Sequence, residues 1–117
     1  MSDNSHFEVR IEDGITILDL LDDRVSDLSP PDFGACLFKI IATRPERLII
    51  NFSKVRFAGS GTIGILVEAA KKLSQHGGML KFCCMDENVR ETFRLLGLEG
   101  RIFEIFNQEQ EAIAAFD

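Results

Sequence analysis

The chain has no tryptophan and no tyrosine, and its 117 residues include only two histidines, three cysteines and three prolines. Every aromatic contact must therefore come from phenylalanine, of which there are ten, enough for a dense apolar core in a small domain. His6, His76, Cys36, Cys83 and Cys84 show no metal-ligand spacing and no C-x-x-C pattern, and an odd cysteine count argues against a disulfide framework. The adjacent Cys83 and Cys84 read as two small apolar strand residues rather than a redox or metal site. No apolar run reaches the roughly eighteen residues of a membrane span. The polar opening, Met1 to His6, lacks a signal-peptide apolar region and reads as a disordered tail. A cytoplasmic protein is expected. Basic residues are outnumbered, 13 against 19 acidic, for a net charge of −6. Such a surface repels phosphate backbones and anionic lipid heads, so neither nucleic acid nor membrane is an expected partner.

What is present fits one domain over residues 7–117. Phe7 to Glu12 alternates as a strand, Asp13-Gly14 is a hairpin turn signal, and Ile15 to Leu20 is a second strand. Residues 21–29 are polar and acidic. Ser29-Pro30-Pro31 opens a helix whose apolar positions Phe33, Leu37, Ile40 and Ile41 run through Thr43, and Arg44-Pro45 ends it. Leu48 to Phe52 is a short apolar run suited to a strand buried on both faces. A second helix is predicted from about Thr62 to Gln75, ended by Gly77-Gly78. Met79 to Met85 reads as a strand. Asp86 caps a third helix with Val89, Phe93 and Leu96 inward and Gly97 as its stop. Ile102 to Phe106 is a last strand, and Asn107-Gln108-Glu109-Gln110 resembles a capping box before a terminal helix. The order predicts an α/β fold: a mixed sheet of about five strands with about four helices, packed mainly on one face.

Gly59-Ser60-Gly61-Thr62-Ile63-Gly64 concentrates the functional signal. Its glycine spacing fits the G-x-G-x-x-G of dinucleotide-binding turns, with Asp86 some twenty residues on, so Gly59, Gly61 and Gly64 admit a nucleotide-binding reading. Against it, too little chain follows for a second nucleotide-binding half. The same glycines also suit any tight strand-to-helix turn, with Ser60 as an ordinary cap.

Asn51-Phe52-Ser53-Lys54-Val55-Arg56-Phe57 followed by Ala58-Gly59-Ser60-Gly61-Thr62-Ile63-Gly64 resembles the signature of the STAS family (sulfate transporter and anti-sigma factor antagonist). Ala70-Lys71-Lys72-Leu73, Gly77-Gly78-Met79-Leu80, Val89 to Leu98, Phe103 to Phe106 and Glu111-Ala112-Ile113 continue the likeness in order, over about residues 7–116. The resemblance implies an open mixed sheet and a protein-binding role of the anti-sigma factor antagonist class. The partners it implies are an anti-sigma factor that is also a serine kinase, and a phosphatase. It implies phosphorylation at Ser60, with Thr62 as a second candidate. The partner surface would comprise Gly59, Ser60, Gly61, Thr62 and Ile63, rimmed by Asp22 and Asp23. This chain carries Gly59 where the family has Asp, and Thr62 where it has Gly. The alternative within the family is a non-switching subunit or scaffold of a transporter or sensory complex. No paired carboxylates, no nucleophile–base set and no cofactor motif beyond the glycines are visible, so a binding protein without cofactor is expected rather than an enzyme.

Overall fold

The computed structural model describes residues 6–25 and 33–116. The hairpin forms as read: β1 (Phe7–Glu12) pairs antiparallel with β2 (Ile15–Leu20), Glu12 opposite Ile15. Asp13 and Gly14 both take positive φ, 53° and 76°, the conformation of a two-residue hairpin turn. His6, assigned to the tail, already pairs: its carbonyl accepts from Leu21 N–H at 3.0 Å.

Nine further elements follow: β3 (Arg24–Val25), α1 (Phe33–Ile41), β4 (Arg47–Asn51), β5 (Phe57–Ala58), α2 (Ser60–Gln75), β6 (Met79–Cys83), α3 (Glu87–Leu95), β7 (Glu104–Phe106) and α4 (Glu109–Ala114). The main sheet has the order β1-β2-β4-β6-β7, antiparallel only at the hairpin, while β3 and β5 form a separate parallel pair. The expected five-stranded mixed sheet with four helices is thus present.

Alternation along the strands assigns the two faces. Leu18, Leu20, Leu48, Ile50, Phe82 and Ile105 face α1, α2 and α3, which contribute Phe33, Leu37, Leu66, Leu73, Val89 and Phe93. The phenylalanines form the centre of this layer, with the Phe82 ring 4.7 Å from Phe103, 5.6 Å from Phe52 and 5.8 Å from Phe93. Ile15, Ile17, Ile49 and Cys83 face the other way, against Ala112 of α4. Three helices cover one face and one short helix the other.

The boundaries moved where backbone geometry overrode pattern. The opening of α1 at Ser29-Pro30-Pro31 lies outside the described residues. The helix ends at Ile41 rather than Thr43, because Arg44 takes a φ of 57° ahead of Pro45. β6 stops at Cys83: the Cys84 N–H still donates to Phe106 O at 2.9 Å, but its φ of 65° turns the chain out of the strand. Leu96, expected inward, is the C-cap of α3 and 58% exposed. Gly97 turns the chain so that Leu98 N–H reaches back to Phe93 O, and the helix stops there. Ile102 is likewise exposed, and β7 begins only at Glu104. At Gly77-Gly78 the two glycines meet different demands. Gly77 has φ 80°, and a Cβ on Gly78 would stand 2.6 Å from the Pro45 carbonyl oxygen.

Candidate functional site

The C-terminal ends of the parallel strands gather the residues that the sequence singled out. Asn51 fixes the exit of β4. Its Oδ1 accepts from Ser53 N–H at 2.8 Å, while its Nδ2 donates to Glu109 Oε1 at 2.9 Å. Phe52 and Val55 then plunge into the core, and Val55 N–H closes a turn onto Phe52 O at 2.9 Å. This turn delivers β5, which is held by β3: Asp23 O accepts from both Arg56 N–H (2.6 Å) and Phe57 N–H (3.0 Å).

The same strap positions the start of α2. Val25 O accepts from Gly59 N–H at 3.0 Å and from the Thr62 hydroxyl at 3.1 Å. Gly59 is the N-cap, at φ −73° and ψ 162°, with no side chain to cap the helix. Ser60 is therefore the first helical residue, not the cap, and α2 begins two residues before Thr62. Ser60 is exposed, and its hydroxyl makes no hydrogen bond among the described residues. Gly61 is half-buried. Thr62 and Ile63, expected on the partner surface, are buried, and the Thr62 hydroxyl is committed to Val25. Asp23 is exposed and acts through its carbonyl, whereas Asp22 pairs with His6 Nδ1 at 2.8 Å.

Two surface residues were not singled out by sequence reasoning. Phe57 is 46% exposed, and the Arg24 guanidinium lies 4.5 Å from its ring centroid. They are cross-strand neighbours in the β3–β5 pair, a contact invisible in sequence because two-residue strands carry no alternation. Gly64, one turn after Ser60, is exposed, and a Cβ there would meet nothing within 4 Å. The third glycine of the nucleotide reading is thus not required for close helix packing. Asp86 is also engaged. Its carboxylate caps α3 at Asn88 N–H and pairs with Arg56 at 2.9 Å, and these contacts hold it below the usual carboxylate range.

Elsewhere, burial pushes the Cys83 thiol up, within the apolar layer under α4, as suits a packing residue. Among the described residues no group of three His, Cys, Asp or Glu side chains could hold a metal ion, and no helix is long and apolar enough to cross a membrane.

The sequence profile of the STAS domain matches residues 6–112. This chain belongs to the STAS domain family. Its fold is shared by an anti-sigma factor antagonist of Mycobacterium paratuberculosis, with TM-score 0.82 and 23% identity over 93% of this chain and 91% of that one. It is also shared by the phosphorylated form of the Bacillus cell fate determinant SpoIIAA, with TM-score 0.70 and 18% identity over 95% and 99%. A sulfate transporter family protein of Wolinella succinogenes has the fold as well, with TM-score 0.73 and 13% identity over 91% and 87%. No curated protein sequence matches this chain.

Proposed function

We propose that this STAS domain is a partner-switching regulator of the anti-sigma factor antagonist type. It would bind an anti-sigma factor with serine kinase activity through the surface formed by Arg24, Phe57, Ser60 and the exposed side of α2, with Asp22 and Asp23 at its rim. The observation that carries this reading is the exposed Ser60 side chain on the first turn of α2, whose hydroxyl has no hydrogen-bond partner among the described residues. The kinase would transfer the γ-phosphoryl group of ATP to Ser60 Oγ, and a phosphatase would remove it. Phosphate adds about −1.5 to −2 of charge. The positive end of the 16-residue α2 tolerates that charge within the domain, whereas a docked partner surface without cations does not. The modification would expel the partner and leave the fold intact. Thr62 is the poorer acceptor, since its hydroxyl is buried.

Recovery from native lysate with wild-type and Ser60→Glu baits tests the reading. A kinase-type partner captured by wild type and lost on Ser60→Glu is the expected result. Equal capture by both baits would overturn the switch.

The second reading, a constitutive STAS subunit of a transporter or sensory assembly, is favoured by Gly59, which supplies no carboxylate beside the serine. Transport subunits recovered equally on both baits would select it. The nucleotide-binding reading draws no support from the open position of Gly64 or from the engaged Asp86.

A further inference from the structure

The sequence reads Cys83 and Cys84 as two small apolar residues of one strand, and only Cys83 behaves as such. In a continuing strand, adjacent side chains point to opposite faces of the sheet. Here both lie on one face. Cys83 is fully buried in the layer under α4, with Ile17, Ile49 and Ala112. Cys84 packs against that same layer, as do Phe106, Ile113 and Phe116. The cause is the Cys84 backbone, whose φ of 65° lies in the left-handed region that non-glycine residues rarely enter. Glycine or asparagine would take this turn with less strain, so the turn by itself does not call for cysteine. Strained positions of this kind gather where a residue has a task.

The two thiols differ in access. Cys83 is closed to solvent, and Cys84 is half-buried. Burial first, then Cys84 through its charge and a hydrogen bond between the two side chains, push the Cys83 thiol above its ordinary range. The carboxylates of Glu109 and Asp19 add to this. An incoming reagent therefore meets Cys84 first, with Cys83 held protonated behind it. Cys36 stands apart, packed against the core on the opposite face of the sheet.

We propose that Cys83 and Cys84 form a thiol–disulfide switch: a low-molecular-weight disulfide oxidises the pair to a vicinal disulfide, and the closed ring loosens α4. Cys84, as its thiolate, attacks one sulfur of the disulfide RSSR. That S–S bond breaks, a mixed disulfide forms on Cys84, and the first RS⁻ leaves and takes up the proton that Cys84 gave. Cys83 then gives up its proton and attacks Cys84 Sγ, and the second R group leaves as RSH. The pair has lost two electrons, and RSSR has been reduced to two RSH. Adjacent residues stand about 3.8 Å apart at Cα across a trans peptide. Ordinary disulfides span roughly 4.4–6.8 Å, so this ring is strained and readily reduced. Strain of that kind suits a reversible switch rather than a permanent bridge. α4 is six residues long and rests on the layer that contains Cys83. Drawing the Cys83 sulfur out of that layer toward Cys84 undoes part of the seat.

The test equilibrates the full, reduced chain with oxidised and reduced glutathione over a range of ratios. Intact mass and peptide mapping after alkylation read the product. The wild type is expected to become lighter by two hydrogens, to keep Cys36 as its one alkylated thiol, and to map to a Cys83–Cys84 bridge. Cys83→Ser is expected to stop at the glutathione adduct on Cys84, and Cys84→Ser to form neither a bridge nor an adduct on Cys83. Hydrogen exchange of the α4 amides is expected to quicken severalfold in the oxidised wild type and to return to its first rate on adding dithiothreitol. The wild type alone carries the mass, mapping and exchange readings, so the result stands even where a variant folds poorly. A wild type that keeps three free thiols at every ratio, halts at the glutathione adduct, or bridges through Cys36 would overturn the proposal. So would α4 exchange that oxidation leaves unchanged.

Discussion

At Thr62 a single hydroxyl ties together residues 37 positions apart in sequence. Its partner, the Val25 carbonyl, also receives the Gly59 amide, so the bond locks the strap onto the start of α2. Thr62→Val keeps shape and burial but removes the donor, and a buried hydrogen bond of this kind contributes about 1 kcal/mol. Urea denaturation should show a loss near that size, with α2 otherwise intact. Gly59 predicts the opposite sign. Its backbone at φ −73° and ψ 162° is open to any residue, and the helix it precedes has no side-chain cap. Gly59→Asp is expected to stabilise the domain by a few tenths of a kcal/mol, read from the same unfolding curves. It also restores the acid that the family carries before the serine. Phosphorylation of Ser60 by a cognate kinase is therefore expected to be at least as fast in Gly59→Asp as in wild type. In the core, Phe82→Ala removes the ring around which Phe52, Phe93 and Phe103 pack, and should cost about 3–5 kcal/mol, enough to unfold a marginal domain.

Among the elements, α4 is the most exposed to solution conditions. It is six residues long and covers its face alone. Its first turn is anchored by Glu109, which receives Arg10 Nη2 at 2.6 Å and Asn51 Nδ2 at 2.9 Å. Burial pushes the Glu109 carboxyl up, but the Arg10 and Asn51 hydrogen bonds together outweigh it and hold the group below its ordinary 4.5. A carboxylate depressed in the folded state adds stability at pH above its unfolded value. That contribution fades as pH falls through the folded value. The wild type is expected to lose stability relative to Glu109→Gln as pH drops below 4.5, with the gap widest near neutrality, in chemical unfolding followed across that range. At its other end α4 rests near Lys81, a buried ammonium that pairs with Glu104 and lies 4.9 Å from the Phe116 ring centroid.

These elements differ in how visible they were in sequence. The hairpin, the buried β4 and the amphipathic helices announce themselves because period and turn chemistry agree over five or more residues. Asp86 as a cap is a local contact that local pattern reports, whereas the capping box of α4 sits one residue later than expected, with Gln108 as the cap and Glu111 accepting from its N–H. β3 and β5 did not show, because at two residues each they exist only through pairing across the chain. The error over Leu96 has the same root. Helical spacing pointed it inward, but the reversal at Gly97 gave the inward place to the segment that follows.

For the molecule as a whole, the site was half legible. Sequence located the turn at Gly59 to Ile63 and the neighbouring Asp22 and Asp23. It did not say which side chains the turn would show. The structure exposes Ser60 and Gly64, buries Thr62 and Ile63, and adds Arg24 and Phe57. Burial around a turn depends on what packs beneath it, and here that is a strap whose Val25 lies 37 residues before Thr62 in the chain. The stacked pair makes its own forecast. Phe57→Ala removes the exposed ring and its Arg24 contact from the surface with little effect on stability. Under the proposed function it is expected to weaken binding of the partner about tenfold or more, measured by titration against whatever kinase-type partner the wild-type bait captures.

The β3–β5 clasp has a consequence for how this surface can be read. Asp23, Arg24 and Val25 come from one end of the chain, and Phe57 to Thr62 from its middle. No continuous stretch contains both. A synthetic peptide spanning residues 54–66 would carry the serine, the glycines and the whole motif, yet lack the strap that sets the first turn of α2. Under the proposed function such a peptide should fail to compete with the folded domain for its partner, because the surface offered is a conformational epitope, and the motif is only one of its two halves.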